Sequence, residues 1–290
     1  MIMPTNDVDQ PIIVGMDMSA AALRAVRWAA HDAVLRGAPL QLVCATPRLA
    51  DRPLDDSPVE LFHSDYRDTV QTTLEDAADL AKSSTADLGS LDVSTLIVDA
   101  EPIPVLCELA QTARYVVVGA RGLTSYHRSL LGSVSTALAR HALGPVVIVP
   151  EELPDASLPV VVGVDGSPLS THAIEVAFDE ASRRGVEVVA VHAWGDRTRD
   201  PVYSASDAHD LLARSLSAPI AEYPNVKVWS VVAEGRPLRQ LLEESRRAQL
   251  IVIGSHGRGG FPGMTLGSTG EAVMHAADCP VAIIRPREAG

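Results

Sequence analysis

The chain has 290 residues, 47% of them hydrophobic, with a formal net charge of −13 and a pI near 5.1. That length suits two domains of ordinary size better than one core, and the acidic balance speaks against a nucleic-acid partner, whose phosphates call for a basic face. No apolar stretch approaches the roughly 20 residues of a membrane span, residues 1–10 lack the basic start and apolar run of a signal peptide, and Cys44, Cys107 and Cys279 show no CxxC spacing that would suggest disulfides or zinc. A cytoplasmic protein without membrane insertion is expected.

The first β-branched run, near 12–16, ends in Gly15-Met16-Asp17-Met18-Ser19 and leads into a helical pattern with Ala22, Ala25, Val26, Ala29 and Ala33 on one stripe. Ser19 suits the N-cap of that helix. A second strand is predicted near 40–45. The segment from Thr46 to Ser64, rich in Pro, Asp and Arg, reads as a surface loop over the strand ends. A helix follows with Val70, Leu74, Ala77 and Ala81 on one face, which is ordinary core packing. Strands near 94–98, 115–118 and 146–149 complete a β-α alternation of the kind that builds a parallel sheet with helices on both faces.

The pattern then begins again, so the chain reads as one domain written twice. Val160-Val161-Val162-Gly163-Val164-Asp165-Gly166-Ser167 repeats the first strand and its turn, and Arg184-Gly185 repeats Arg36-Gly37. Ser170, Ala173, Ile174, Ala177 and Ala181 form the matching helical stripe, with Ser167 as cap and Pro168 at the first helical position. Strands are predicted near 160–164, 187–193, 226–232, 250–253 and 281–284, and Gly195 to Asp207 is a second surface loop. Domains of 1–150 and 160–290 follow, joined by an acidic, proline-flanked linker at 151–159.

The chemistry concentrates after the fourth strand of each half. Gly119-Ala120-Arg121-Gly122 is followed at fixed spacing by Gly132-Ser133, and Gly254-Ser255-His256-Gly257 by Gly267-Ser268. Each is a G-x2-G-x9-G motif followed by Ser or Thr, lying between an apolar strand and a helix. Glycines let backbone approach an anion, and the N–H groups of a helix N-terminus point at it. One copy would be weak evidence; two in matched context point to phosphate binding. Ser268 with Glu271 also fits a capping box. Asp17 and Asp165 stand past the first strands, where open parallel sheets bind ligands, and fit either a hydrogen bond to a ribose or adenine, or a turn into the next helix. Arg121, His127 and Arg128, and His256 and Arg258, are either phosphate partners or a solvated loop face. Neither a Walker lysine nor a zinc-binding or nucleophile motif is present, so no catalytic or metal-ligating residue is assigned.

On these motifs, and on the strand-one turns Val14-Gly15-Met16-Asp17-Met18-Ser19 and Val162-Gly163-Val164-Asp165-Gly166-Ser167, the chain resembles a tandem universal stress protein of the ATP-binding type over nearly its whole length. The resemblance implies two doubly wound, five-stranded parallel sheets of α/β class, flavodoxin-like or adenine nucleotide alpha hydrolase-like, with strand order 3-2-1-4-5. It implies ATP, with or without Mg²⁺, as cofactor, Asp17 and Asp165 at the adenine, and the main chain of Ala45 and Ala193 at the base edge. The expected ligand shell is Gly15, Gly119, Ala120, Arg121, Gly122, Leu123, Thr124, Ser125, Gly132, Ser133 and Val134 in the first half. In the second it is Gly163, Gly254, Ser255, His256, Gly257, Arg258, Gly259, Gly260, Gly267, Ser268 and Thr269. Two departures mark the first half: Met18 stands where the second has Gly166, and Glu101-Pro102-Ile103-Pro104 replaces Glu234-Gly235-Arg236-Pro237. The implied role is nucleotide sensing in stress response, dormancy or growth, as a homodimer with a regulatory partner and slow hydrolysis at most. A phosphohydrolase or nucleotidyl transferase on the same fold, and a scaffold independent of nucleotide, are the alternatives.

Overall fold

In a computed structural model the described residues are 10–46, 59–122, 131–195, 204–258 and 265–285, excepting the side chains of 59–65. They divide into two compact units between Glu151 and Glu152. The first contains β1 (Ile12–Gly15), α1 (Ala20–Arg36), β2 (Leu40–Ala45), α2 (Val59–Ser84), β3 (Val93–Val98), α3 (Pro102–Leu109), β4 (Tyr115–Gly119), α4 (Ser133–His141) and β5 (Val146–Val149). All its pairings are parallel, in the order β3-β2-β1-β4-β5. The second contains β6 (Val160–Gly163), α5 (Pro168–Arg184), β7 (Val188–Gly195), α6 (Ala205–Glu222), β8 (Val228–Gly235), α7 (Pro237–Ser245), β9 (Leu250–Gly254), α8 (Ser268–Ala276) and β10 (Val281–Ile284). Its parallel order is β8-β7-β6-β9-β10, the same 3-2-1-4-5 arrangement.

The central strands are continuous apolar runs because helices cover both faces; β4, β5 and β10 are buried along their whole length. Against them lie the predicted stripes: Ala25, Val26, Ala29 and Ala33 of α1, and Ala173, Ala177 and Ala181 of α5, have no exposed surface. The small alanine side chains bring the helix close to the sheet. Both helices begin on a serine whose hydroxyl oxygen accepts a backbone N–H, Ser19 from Ala22 and Ser167 from Ser170. Both end on a left-handed glycine, Gly37 at φ 63° and Gly185 at φ 67°, a conformation L side chains disfavour.

Two predicted loops are shorter than expected. Val59 to Ser64, placed in the first loop, is the opening turn and more of α2, with 47–58 outside the described residues. In the second, β7 runs on to Gly195 and α6 starts at Ala205, with 196–203 outside them. The polar Ser204 and Asp207, which looked like loop, form a reciprocal capping box: Ser204 donates its N–H to Asp207 Oδ2 at 2.8 Å, and Asp207 donates its N–H to Ser204 Oγ at 3.3 Å. The acidic segment before β6 exposes its side chains, yet its backbone is held. Buried Gln249 donates through Nε2 to Ala156 O at 2.6 Å and Leu158 O at 2.5 Å, while accepting from Arg184 Nη1 at 3.1 Å. Arg184 also donates Nε to the buried Glu180 at 2.9 Å.

Candidate functional site

In each unit the strand order reverses between the first and fourth strands, and the predicted site residues gather beyond their carboxyl ends. Asp17 follows β1 and Asp165 follows β6. One oxygen of each carboxylate makes the turn into the next helix: Asp17 Oδ1 accepts Ser19 N–H at 3.1 Å, and Asp165 Oδ1 accepts Ser167 N–H at 2.9 Å. The other oxygen faces the glycine turn after the fourth strand. A Cβ on Gly122 would overlap Asp17 Oδ2, and one on Gly257 would overlap Asp165 Oδ2. Each carboxylate therefore both forms its own turn and faces the glycine turn. In the second half Asp165 Oδ2 also accepts the N–H of Arg258 at 2.9 Å. Burial pushes the Asp165 carboxyl up, but the hydrogen bonds from Ser167, Arg258 and Ser170 outweigh it and hold the group below its ordinary value.

The two parts of each glycine motif meet. Gly132 donates its N–H to Ala120 O at 2.8 Å and Gly267 to Ser255 O at 2.7 Å. The place of a Cβ on Gly132 is 3.4 Å from Gly122 N, so the glycine turn and the start of α4 share one small space. Gly132 and Gly267 are themselves the N-caps of α4 and α8 and bring no side-chain cap bond. This corrects the capping box expected of Ser268 and Glu271: Ser268 is the first helical residue, one position too far along to cap. The consequence is chemical. The serine-capped helices α1, α5 and α6 satisfy a first-turn N–H internally, whereas the amides of Ser133, Val134, Ser268 and Thr269 open α4 and α8 with only a glycine before them, the condition under which a helix start takes an anion.

The remaining candidates fall in different places. Arg121 pairs with Glu151 at 2.8 Å, His256 Nδ1 is 3.3 Å from Ser255 Oγ, and the Arg258 guanidinium lies over Gly166, where a Cβ would overlap it. Gly166 has φ 75°, and Met18, its counterpart, holds the same left-handed turn at φ 63° with a full side chain. Gly119 and Gly254 are packed for close approach: a Cβ on Gly119 would lie 2.7 Å from the Ala21 backbone. Gly15 and Gly163 leave room for Leu106 and Leu241, a packing role. Ala45 ends β2, whereas Ala193, expected to end its strand, is followed by Trp194 and Gly195, which are still paired in β7. Leu123, Thr124, Ser125, His127, Arg128, Gly259 and Gly260 lie outside the described residues. Among the described residues no group of three or more His, Cys, Asp or Glu side chains is placed to hold a metal ion.

Three features went unpredicted. Buried Ser135 donates Oγ–H to Gly119 O at 2.8 Å, tying α4 to the end of β4, where the second half has Gly270. His192, buried in β7, donates its Nδ1 hydrogen to Val164 O at 2.8 Å. Arg285 donates Nη2 to Thr265 O at 2.6 Å. Only the first carried a signal: a small polar residue at a core-facing helical position three after the cap glycine.

The sequence profile described as the Universal stress protein family matches residues 10–150 and again 158–285. Universal stress protein Rv1996 of Mycobacterium tuberculosis is 38% identical to the chain over 308 aligned residues, covering 98% of this chain and 97% of its own length. Universal stress protein Rv2623 of the same organism is 42% identical, covering 94% of this chain and 96% of its own. The crystal structure of a universal stress protein from Archaeoglobus fulgidus superposes with a TM-score of 0.74 at 19% identity, covering 96% of this chain and 98% of that one. With two tandem profile matches spanning both units and whole-length relatives at this identity, the chain belongs to the universal stress protein family.

Proposed function

We propose that each half binds one adenine nucleotide, with ATP as the sensed ligand, and that the protein reports nucleotide state in a stress or growth response. One observation carries this reading: in both halves the strand-one carboxylate, the glycine turn and a glycine-capped helix start converge at the switch point of a parallel sheet. Asp17 and Asp165 would meet the adenosine end. The amides at Ser133, Val134, Ser268 and Thr269 would meet the phosphates. The cradle fits such a group because Gly122, Gly132, Gly257 and Gly267 leave backbone where a side chain would stand. ATP brings its own charge and any Mg²⁺ with it; this chain's residues orient it. A sensing role rather than rapid turnover suits a site built from backbone amides and turn-forming carboxylates, with no side chain assigned to activate water. The reading extends to a cytoplasmic homodimer acting on a regulatory protein partner, for which light scattering would give about twice the 30.7 kDa chain mass.

The test is absorbance and mass analysis of nucleotide released from purified protein on denaturation, followed by calorimetry of the stripped, refolded chain with ATP. Binding of ATP supports the reading; folded protein that takes up no adenine nucleotide overturns it. A turnover assay with Mg²⁺ separates sensor from enzyme.

A further inference from the structure

In the second half the described residues on either side of 259–264 are each held in place. Before that stretch, Asp165 Oδ2 accepts the N–H of Arg258 at 2.9 Å. After it, three contacts fix the backbone just before α8: Gly267 donates to Ser255 O at 2.7 Å, the Leu266 side chain is buried 3.3 Å from the place of a Cβ on Gly270, and Arg285 donates Nη2 to Thr265 O at 2.6 Å. Arg285 is the first residue after β10. From there it spans the strand end to hold a carbonyl two residues before the cap glycine. It also places a guanidinium charge next to the helix start.

The first half is built differently at the same place. The residue after β5 is Pro150, which has no side-chain donor. The arginine of its glycine turn, Arg121, is paired with Glu151 at 2.8 Å, so a carboxylate there competes with any phosphate for that cation.

We propose that Arg285 is a positioning residue for polyphosphate in the second half: by fixing the return of the loop it aims the α8 amides, and it makes this half favour ATP over AMP more strongly than the first half does. The inference rests on the adenine-nucleotide reading of the site. It concerns the phosphate end, because Arg285 holds the carbonyl of Thr265 just before α8, whereas Asp165 bonds Ser167 and Arg258.

The test uses the full chain carrying Gly122→Glu, which leaves one site, and measures ATP and AMP affinities by calorimetry with and without Arg285→Ala. Loss of one charge-assisted hydrogen bond predicts about a tenfold weaker ATP affinity, a change in AMP affinity of about twofold or less, and recovery of most of the ATP affinity by Arg285→Lys, which still donates to a carbonyl. Ligand-free melting checks the fold, and Arg285→Gln replaces the alanine variant if that one melts early. An unchanged ATP to AMP ratio, or an equal loss for both nucleotides, overturns the inference alone. Failure of the Gly122→Glu parent to bind either nucleotide overturns the nucleotide reading and this inference with it.

Discussion

Asp165 accepts two backbone N–H groups from opposite sides of the site, Ser167 at 2.9 Å through Oδ1 and Arg258 at 2.9 Å through Oδ2. One carboxylate thus joins the end of β6, the start of α5 and the loop after β9. Its removal is expected to act on folding and ligand together. Asp165→Ala should weaken nucleotide binding in the second half by about 1–3 kcal/mol, read by calorimetry, while first-half binding stays unchanged. Its hydrogen bonds hold the folded carboxyl below its ordinary value of 3.8, so its stabilisation is complete above that value and is lost as pH falls through the lower folded one. Urea denaturation between pH 5 and 2 (roughly the range over which native carboxylates protonate) should show a steeper decline for the parent than for Asp165→Asn.

Gly122→Glu and Gly257→Glu should each remove one nucleotide per chain. A side chain there meets Asp17 Oδ2 or Asp165 Oδ2 and adds negative charge against a phosphate. Calorimetry should count one site in each single variant and none in the double. Full occupancy in a folded double variant would refute the loop assignment.

Met18 adopts φ 63° where its counterpart is a glycine at 75°. Left-handed backbone costs an L residue roughly 1–2 kcal/mol, part of which glycine returns through its freer unfolded chain. Met18→Gly should therefore raise stability by about 0.5–1 kcal/mol. Gly166→Met should lower it by more, since its Cβ also meets the Arg258 guanidinium. Paired denaturation curves decide both.

Gln249 joins Arg184 to the carbonyls of Ala156 and Leu158. Gln249→Leu keeps the volume but strands two carbonyl acceptors and takes one acceptor from Arg184, which keeps its pairing with Glu180, so it should cost about 2–4 kcal/mol. The midpoint of urea unfolding of the second half reports it.

Cys44 and Cys279 should be slow toward thiol reagents in the folded protein, since the thiolate is the reactive form. Burial, and then the Asp17 charge, push the Cys44 thiol up; burial and the Asp278 charge push Cys279 up to about 12. Half-buried Cys107 should label first, and denaturant should equalise all three.

Helix stripes and serine caps were legible because each rests on local periodicity or on a residue with one common use, whereas the sheet order followed from the family resemblance. Ala22 to Ala33 repeat at helical spacing, and Ser19 and Ser167 precede the first apolar turn. The opening of α2 at Val59 was not legible, because the Pro-, Asp- and Arg-rich character of the stretch before it was carried forward to Ser64. Ser268 and Glu271 matched a capping pattern that Gly267 pre-empted by one residue. At the site, the two-sided use of Asp165 needed the fold: a turn residue and a residue facing a loop 93 positions away carry the same letter. Arg285 was invisible for the same reason, since its partner Thr265 is a backbone oxygen, which no side-chain pattern marks.

The most direct test of the central claim is the ATP stoichiometry of the stripped, folded chain by calorimetry. Two converging carboxylate and glycine-capped sites predict up to two nucleotides per chain, with saturating ATP at about 1,000 times its dissociation constant stabilising the fold by roughly 4 kcal/mol. Absence of heat on titration, together with a melting curve that ATP leaves unmoved, would contradict it.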